Sequence, residues 1–366
     1  MRWHQRQTGF PALRRYGAEM ADGDRTERTL TARELNRALL ARQCLLERSA
    51  ASIPAVLEQM AGLQAQYAPA MYLGLWSRMA DLSRDSGTDA LHRKIVVQAK
   101  LMRSTIHLVS KADYWPFALG IRQARRDWYV RVVKTTATRM EEAAGAVRQS
   151  LKDGPLRQAE LYALVDASIR NGIELWLDLV RVPPSGTWER RRADLYGLAE
   201  DWVGPPRTTA SNGIECLVGR YLTGFGPSSR AEIADWAGLP VNLVVQALQT
   251  MKLRQFRAED GTALYDLPRA PLPDADTPAP VRFLPVWDAT LLVHARRTGI
   301  LPEEYRPRIF STRTPHSFNT FLVHGAVAGT WRFEDGRVTT DPFAPLDPSV
   351  RRELHDEAER LAEFHA

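Results

Sequence analysis

From Ser228 to Leu267 the chain reads "SSRAEIADWAGLPVNLVVQALQTMKLRQFRAEDGTALYDL", and its punctuation leaves few folds open. Ser229 and Glu232 form a capping-box pattern that opens a helix through Trp236. Gly238 ends that helix, and Pro240 opens a second one to Met251. The next residues alternate about Asp260-Gly261, a strong hairpin signal. Helix, helix, hairpin in this order predicts a winged helix-turn-helix.

A fainter version lies upstream, in "VPPSGTWERRRADLYGLAEDW", where Pro-Pro-Ser-Gly marks a turn. The two expected hairpins end alike, in Leu195-Tyr196-Gly197-Leu198 and Leu264-Tyr265-Asp266-Leu267. This weak internal repeat points to winged units in series. Nearer the start, Thr31 and Glu34 form another capping box, and Ser52 and Pro54 open a short helix that Gly62 stops. Pro69 starts a third helix, and a fourth is expected at 88–98. "KLMRSTIHLVS" (100–110) reads as one strand. Ser110 and Asp113 lead into one long helix to about residue 148, and another helix is expected near 156–170. "PRAPLPDADTPAP" is a linker with five prolines. Beyond it come β-rich segments, one turning at Asp335-Gly336, and then a charged helix over 348–364.

The expected fold is therefore α+β: tandem winged helix-turn-helix units followed by a small C-terminal β-barrel. The expected organisation is an extension over 1–28, a first winged unit over 29–150, a second over 151–206 and a third over 207–268. The linker spans 269–280, and the barrel-like domain with its terminal helix spans 281–366. The extension carries six arginines and no apolar h-region, so it is no secretory signal. Met20 opens a more usual beginning, "MADGDRTERTLTARELNRALL", and is the expected start in place of Met1.

Composition narrows the function. No apolar run of membrane-spanning length exists. Two distant cysteines, Cys44 and Cys216, have no metal-ligand spacing and fit a reducing cytoplasm, the expected location. The eight histidines are scattered without metal spacing, so no metal and no cofactor is expected. There is no P-loop, dinucleotide fingerprint, HExxH or G-x-S-x-G elbow. A net charge of +6 suits a polyanionic partner. Arg122, Arg125, Arg126, Arg131 and Lys134 stand around Trp128 and Tyr129 on the long helix, and read either as a DNA-facing surface or as a solvated face. Trp188, just past Gly186-Thr187, is a candidate protruding aromatic with Arg190 beside it. Arg103, Thr105 and His107 lie on the 100–110 strand and are candidates for lining DNA or supporting the neighbouring loop. His107 reads as a buried histidine, or as one that lines DNA or supports the neighbouring loop.

One short connection remains, "AGLQAQYAP", where Gln64 and Gln66 stand one residue apart between two helices. By composition alone such a pair is solvated polarity. In an extended loop, residues i and i+2 point the same way.

Taken in order, "GLQAQYAPAMYLGLWSRM", "LMRSTIHLVSKADYW", "GPSSRAEIADWAGLP", "DLPRAPLPDADTPAPVRFLPVWD" and "FLVHGAVAGTWR" resemble the bacterial winged-helix DNA glycosylases of the AlkZ and YcaQ type. The resemblance runs from about Thr31 to Trp331. It implies a C-shaped molecule whose concave basic surface holds double-stranded DNA. It also implies hydrolysis of the N-glycosidic bond of N7-alkylated guanine, and the unhooking of interstrand crosslinks made by genotoxic natural products, for repair or self-resistance. The family's catalytic motif is Gln, any residue, Gln, which falls on Gln64, Ala65 and Gln66. The YcaQ branch has Asp at the second site, and this chain does not. No Schiff-base lysine is implied, so a monofunctional hydrolase is expected, acting as a monomer. Two other classes stay open: a non-catalytic winged-helix DNA-binding regulator, and an interaction module without DNA binding.

Overall fold

The computed structural model describes residues 26–192, 194–311 and 316–366. Most of the expected extension, and its question of Met1 or Met20, lies outside these residues. Its last residues, however, belong to a strand. Thr26–Leu30 runs parallel to Arg254–Ala258, which pairs antiparallel with Ala263–Asp266 across the Asp260-Gly261 turn. The helices Arg230–Ala237 and Val241–Thr250 precede that hairpin, and both arms of the Ser229–Glu232 capping box form. The capping box at Thr31 and Glu34 forms as well, opening the helix Ala32–Arg42.

The two similar tails pair alike but differ in burial: Tyr196 lies opposite Arg181 and Leu156, and Tyr265 opposite Gln255 and Ser228. Tyr196 is buried, whereas Tyr265 is half-buried and the buried residues beside it are Leu264 and Asp266.

A six-stranded antiparallel sheet carries the first half. Its order is Leu63–Gln64, Ile106–Ser110, Val96–Lys100, Leu179–Arg181, Leu195–Leu198, Leu156–Arg157. This sheet crosses the boundary expected at residue 150, so the first two units share one hydrogen-bonded structure. Four expectations are corrected here. The 100–110 segment is a tight turn followed by a strand, because Arg103 and Ser104 take left-handed φ of 52° and 60° and reverse the chain. The helix expected at 88–98 is Arg84–His92, and Val96–Lys100 is a strand. The long helix breaks at Lys134 (φ 56°) into Lys111–Val133 and Ala137–Ser150, where the β-branched Thr135 intervenes and Thr136 caps the second piece. Near 156–170 only Gln158–Ala163 is α-helical.

The C-terminal strands Arg282–Leu284, Thr320–Val323, Ala326–Glu334 and Arg337–Pro342 form an open antiparallel sheet in that order. Its outer strands do not pair with each other, so the expected barrel is not closed among the described residues. Helix Pro348–His365 folds back from it.

Packing ties these parts together. Helices Lys111–Val133 and Ala210–Phe225 cross at a pair of glycines. A methyl group on Gly120 would lie 2.8 Å from the Gly213 carbonyl carbon and 2.9 Å from the Ile214 nitrogen. Arg42 and Asp266 form a fully buried bidentate pair at 2.7 and 2.8 Å, and the fully buried Arg78 reaches Asp288 at 2.9 Å. One face of the six-stranded sheet, helix Ala68–Trp76, the C-terminal sheet and helix Pro348–His365 share a single apolar core.

Candidate active site

The site begins where helix Ile53–Gln59 stops. Ala61 and Gly62 both adopt positive φ, 64° and 80°, and the Gly62 N–H closes the turn on the Leu57 carbonyl at 2.7 Å. A Cβ on Gly62 would meet Val109 Cγ1 at 2.9 Å, so glycine is required both by conformation and by close approach. The chain then lies along Ile106–Ser110, with Gln64 opposite His107 and the Ala65 N–H bonded to the Ile106 carbonyl at 2.7 Å. Ala65 points into the core at 1% exposure, between the half-buried Gln64 and the exposed Gln66. The alternation expected of an extended loop is present. Pro69 then starts helix Ala68–Trp76, which is buried along its whole length and holds the loop from its far end.

The two amides are held differently. Gln66 Oε1 accepts the Ile106 N–H at 3.2 Å, taking the position a main-chain carbonyl would fill if the ladder continued. That bond fixes the amide's sense and leaves its NH2 group free to donate. Gln64 makes no side-chain hydrogen bond to any described residue.

His107 is 3% exposed, with Nδ1 3.0 Å from the Thr105 carbonyl oxygen. Burial, reinforced by the nearby Arg103 cation, pushes its pKa down to about 3, so the ring is neutral at physiological pH.

Several expected DNA contacts are turned inward. Arg103 gives its guanidinium to the Trp236 carbonyl, binding the turn to helix Arg230–Ala237; burial lowers its pKa to about 10, and it stays charged. Thr105 Oγ1 bonds the Met102 carbonyl at 3.1 Å and closes the same turn. Arg122 pairs with Asp178 at 2.8 Å, Arg125 donates to the Lys100 carbonyl at 3.0 Å, and Arg126 donates to the Leu175 carbonyl at 2.8 Å. The three arginines of that helix are thus fastened internally, Arg125 to the sheet at Lys100, Arg126 to the short helix Ile173–Trp176 and Arg122 to Asp178 beyond it. Trp188 does not protrude: it is 5% exposed and packs edge-on against Tyr72 at 5.6 Å and Phe364 at 5.7 Å.

Arg190 is exposed, as are Arg191 and Arg192 beside it. Arg192 pairs with Asp194 at 2.8 Å, and Arg191 reaches the Tyr67 hydroxyl at 3.3 Å. This contact places the arginine loop next to the glutamine loop. Tyr67, 46% exposed directly after Gln66, and Arg191 were not singled out by the sequence reading. The run Arg190-Arg191-Arg192 was the available signal for the loop, whereas nothing in the sequence linked it to Tyr67. The described residues contain no group of three or more His, Cys, Asp or Glu that could hold a metal ion. No described helix is long and apolar enough to cross a membrane.

An α+β chain presenting neutral amides at a sheet edge, with arginines alongside, is equipped to meet a polyanion and position water. The profile of the DNA glycosylase AlkZ-like family matches residues 57–364, and the chain belongs to that family, the AlkZ-like DNA glycosylases. Among solved structures it is similar to the DNA glycosylase AlkZ of Streptomyces sahachiroi. The TM-score is 0.76 at 18% identity, over 92% of this chain and 97% of that one, a likeness of fold. A comparison with curated proteins finds no match.

Proposed function

We propose that this DNA glycosylase hydrolyses the N-glycosidic bond of cationic N7-alkylated purines in duplex DNA, with Gln64 and Gln66 as catalytic residues. Interstrand crosslinks built on such adducts are substrates too, in repair or in resistance to a genotoxin. The observation that carries this reading is the unequal pair of amides: Gln66 anchored to strand Ile106–Ser110, and Gln64 beside it, half-buried and unbonded.

The chemistry needs no strong acid or base. Alkylation at N7 has already made the base cationic, so the C1′–N9 bond breaks with its electron pair moving to N9 and the base leaves neutral. Ordinary glycosidases need a carboxylic acid for that step. Water attacks C1′, forming a C–O bond, and releases its proton to solvent. The Gln64 carbonyl accepts from that water and faces the oxocarbenium-like sugar with its negative end. Gln66, fixed in one sense, offers its NH2 group to an adjacent DNA oxygen. Positioning of this kind is worth on the order of 10²-fold in rate. Amides are weak bases, so neutral undamaged purines react poorly.

In this reading the helix–helix–hairpin segment 229–267 is a winged helix-turn-helix within a C-shaped arrangement. Arg190 and Arg191 reach phosphates flanking the lesion, and the enzyme acts as a cytoplasmic monomer. Purified protein incubated with N7-methylguanine duplex and with crosslinked duplex should leave abasic sites without strand cleavage. Gln64→Ala with Gln66→Ala should lose most of the activity. A double variant as fast as wild type refutes the mechanism. Binding without any base release by wild type favours the non-catalytic regulator.

A further inference from the structure

An amide that orients water has two ends, and only one is useful. To accept from water, Gln64 must present Oε1, so its NH2 group needs an acceptor elsewhere. Gln66 is fixed in the opposite sense, its Oε1 accepting the Ile106 N–H. Gln64 has no such partner on its own loop.

The strand register supplies one. The Ala65 N–H bonds the Ile106 carbonyl, so residues 65 and 106 stand at a hydrogen-bonding position of the antiparallel register, with the Ile106 N–H given to Gln66 Oε1 in place of a main-chain carbonyl. Gln64 and His107 are then the adjacent pair without main-chain hydrogen bonds, where opposed Cα atoms come within about 4.5 Å and both side chains leave the same face. The imidazole is in the required state. A carbonyl oxygen only accepts, so the 3.0 Å contact between Nδ1 and Thr105 places the ring's single proton on Nδ1. Nε2 is left with a lone pair, and it has no hydrogen bond to a described residue. Burial, and after it the charges of Arg103 and Arg125, oppose its protonation and make it a poor base. It therefore accepts a hydrogen bond and does not take a proton from water.

We propose that His107 is a positioning residue, whose Nε2 accepts from the Gln64 side-chain NH2 and turns the Gln64 carbonyl toward the nucleophilic water. Rotation of the Gln64 side chain makes the contact. The inference rests on the glycosylase reading above. It adds why the catalytic motif stands opposite a neutral histidine: the strand pairing that places the loop also sets the sense of its free amide.

Single-turnover base release from N7-methylguanine duplex tests it with the full chain. His107→Phe keeps a ring and removes the acceptor. It should slow release roughly 10- to 100-fold, with DNA affinity unchanged. His107→Gln returns an oxygen to the Nε2 position and should recover most of the rate. In a Gln64→Ala background, His107→Phe should cost nothing further, since the amide it orients is gone. A merely structural histidine would cost the same factor in both backgrounds, and that result overturns the proposal, as does a fully active His107→Phe. If the Phe variant does not fold, His107→Met carries the same cycle. Wild type inert on the methylated duplex overturns the glycosylase reading and this inference together. Active wild type with an unimpaired His107→Phe overturns this inference alone.

Discussion

Replacing Asp266 by Ala should be among the most damaging single changes in this chain. Arg42 and Asp266 are both fully buried, joined by bonds of 2.7 and 2.8 Å. The same guanidinium donates to the Leu222 carbonyl at 2.9 Å and to Pro271 at 2.9 and 3.1 Å. One side chain thereby fastens the first helix, the end of helix Ala210–Phe225, the 254–266 hairpin and the proline linker. Removing the carboxylate leaves a buried positive charge with only neutral carbonyls bonded to it, which costs about 3–5 kcal/mol. At roughly 2–4 °C per kcal/mol for a unit of 150–250 residues, the midpoint should fall by about 6–20 °C. Thermal unfolding and urea titration, both followed by tryptophan fluorescence, report it. Arg42→Met with Asp266→Leu removes both charges and should recover much of the loss. A cost under about 1 kcal/mol for Asp266→Ala, or a double variant no better than the single one, would refute the reasoning.

The helix crossing offers a steric test: Gly120→Ala places a methyl 2.8–2.9 Å from backbone atoms of the partner helix and should cost about 1–3 kcal/mol in urea unfolding. His107 predicts a pH dependence. Its pKa is about 3 when folded against an ordinary 6.5, so unfolding takes up a proton between these values. The stability it contributes is complete above pH 6.5 and drains away toward pH 3, on the order of a few kcal/mol in all. His107→Phe should flatten that limb of a stability–pH curve. Arg190→Ala should weaken duplex binding and lower the slope of log K against log salt by about one, whereas Arg122→Ala should lower stability and leave that slope unchanged.

Much of the local structure was legible because it is written in short-range chemistry. The capping boxes at Thr31 and Ser229, the hairpins at Asp260-Gly261 and Asp335-Gly336, and the stop at Gly62 each depend on a few adjacent residues. The glutamine loop was placed between its two helices for the same reason. The turn at Arg103-Ser104 was not, since neither residue advertises a positive φ. The internal partners of Arg122, Arg125 and Arg126 were not legible, because charge usually marks solvent. Their partners, the Lys100 and Leu175 carbonyls and Asp178, are set by long-range pairing that no window of sequence displays. The same holds for Trp188, whose neighbours come from residues 72 and 364.

Helix Pro348–His365 closes the wall of the unit that holds the two amides. Phe364 packs on Trp76 and Trp188, Glu357 pairs with Arg48, and the His365 carbonyl receives Arg84 at 3.2 Å. A ribosome delivers residues 53–110 long before these partners exist, at about 5–20 residues per second. Throughout that interval Trp76 and Trp188 lack their cover and the glutamine loop stands on an unfinished core. The glutamine edge is thus made early and is among the last parts completed, so the nascent chain must keep this half from aggregating until residues 348–365 emerge to seal it.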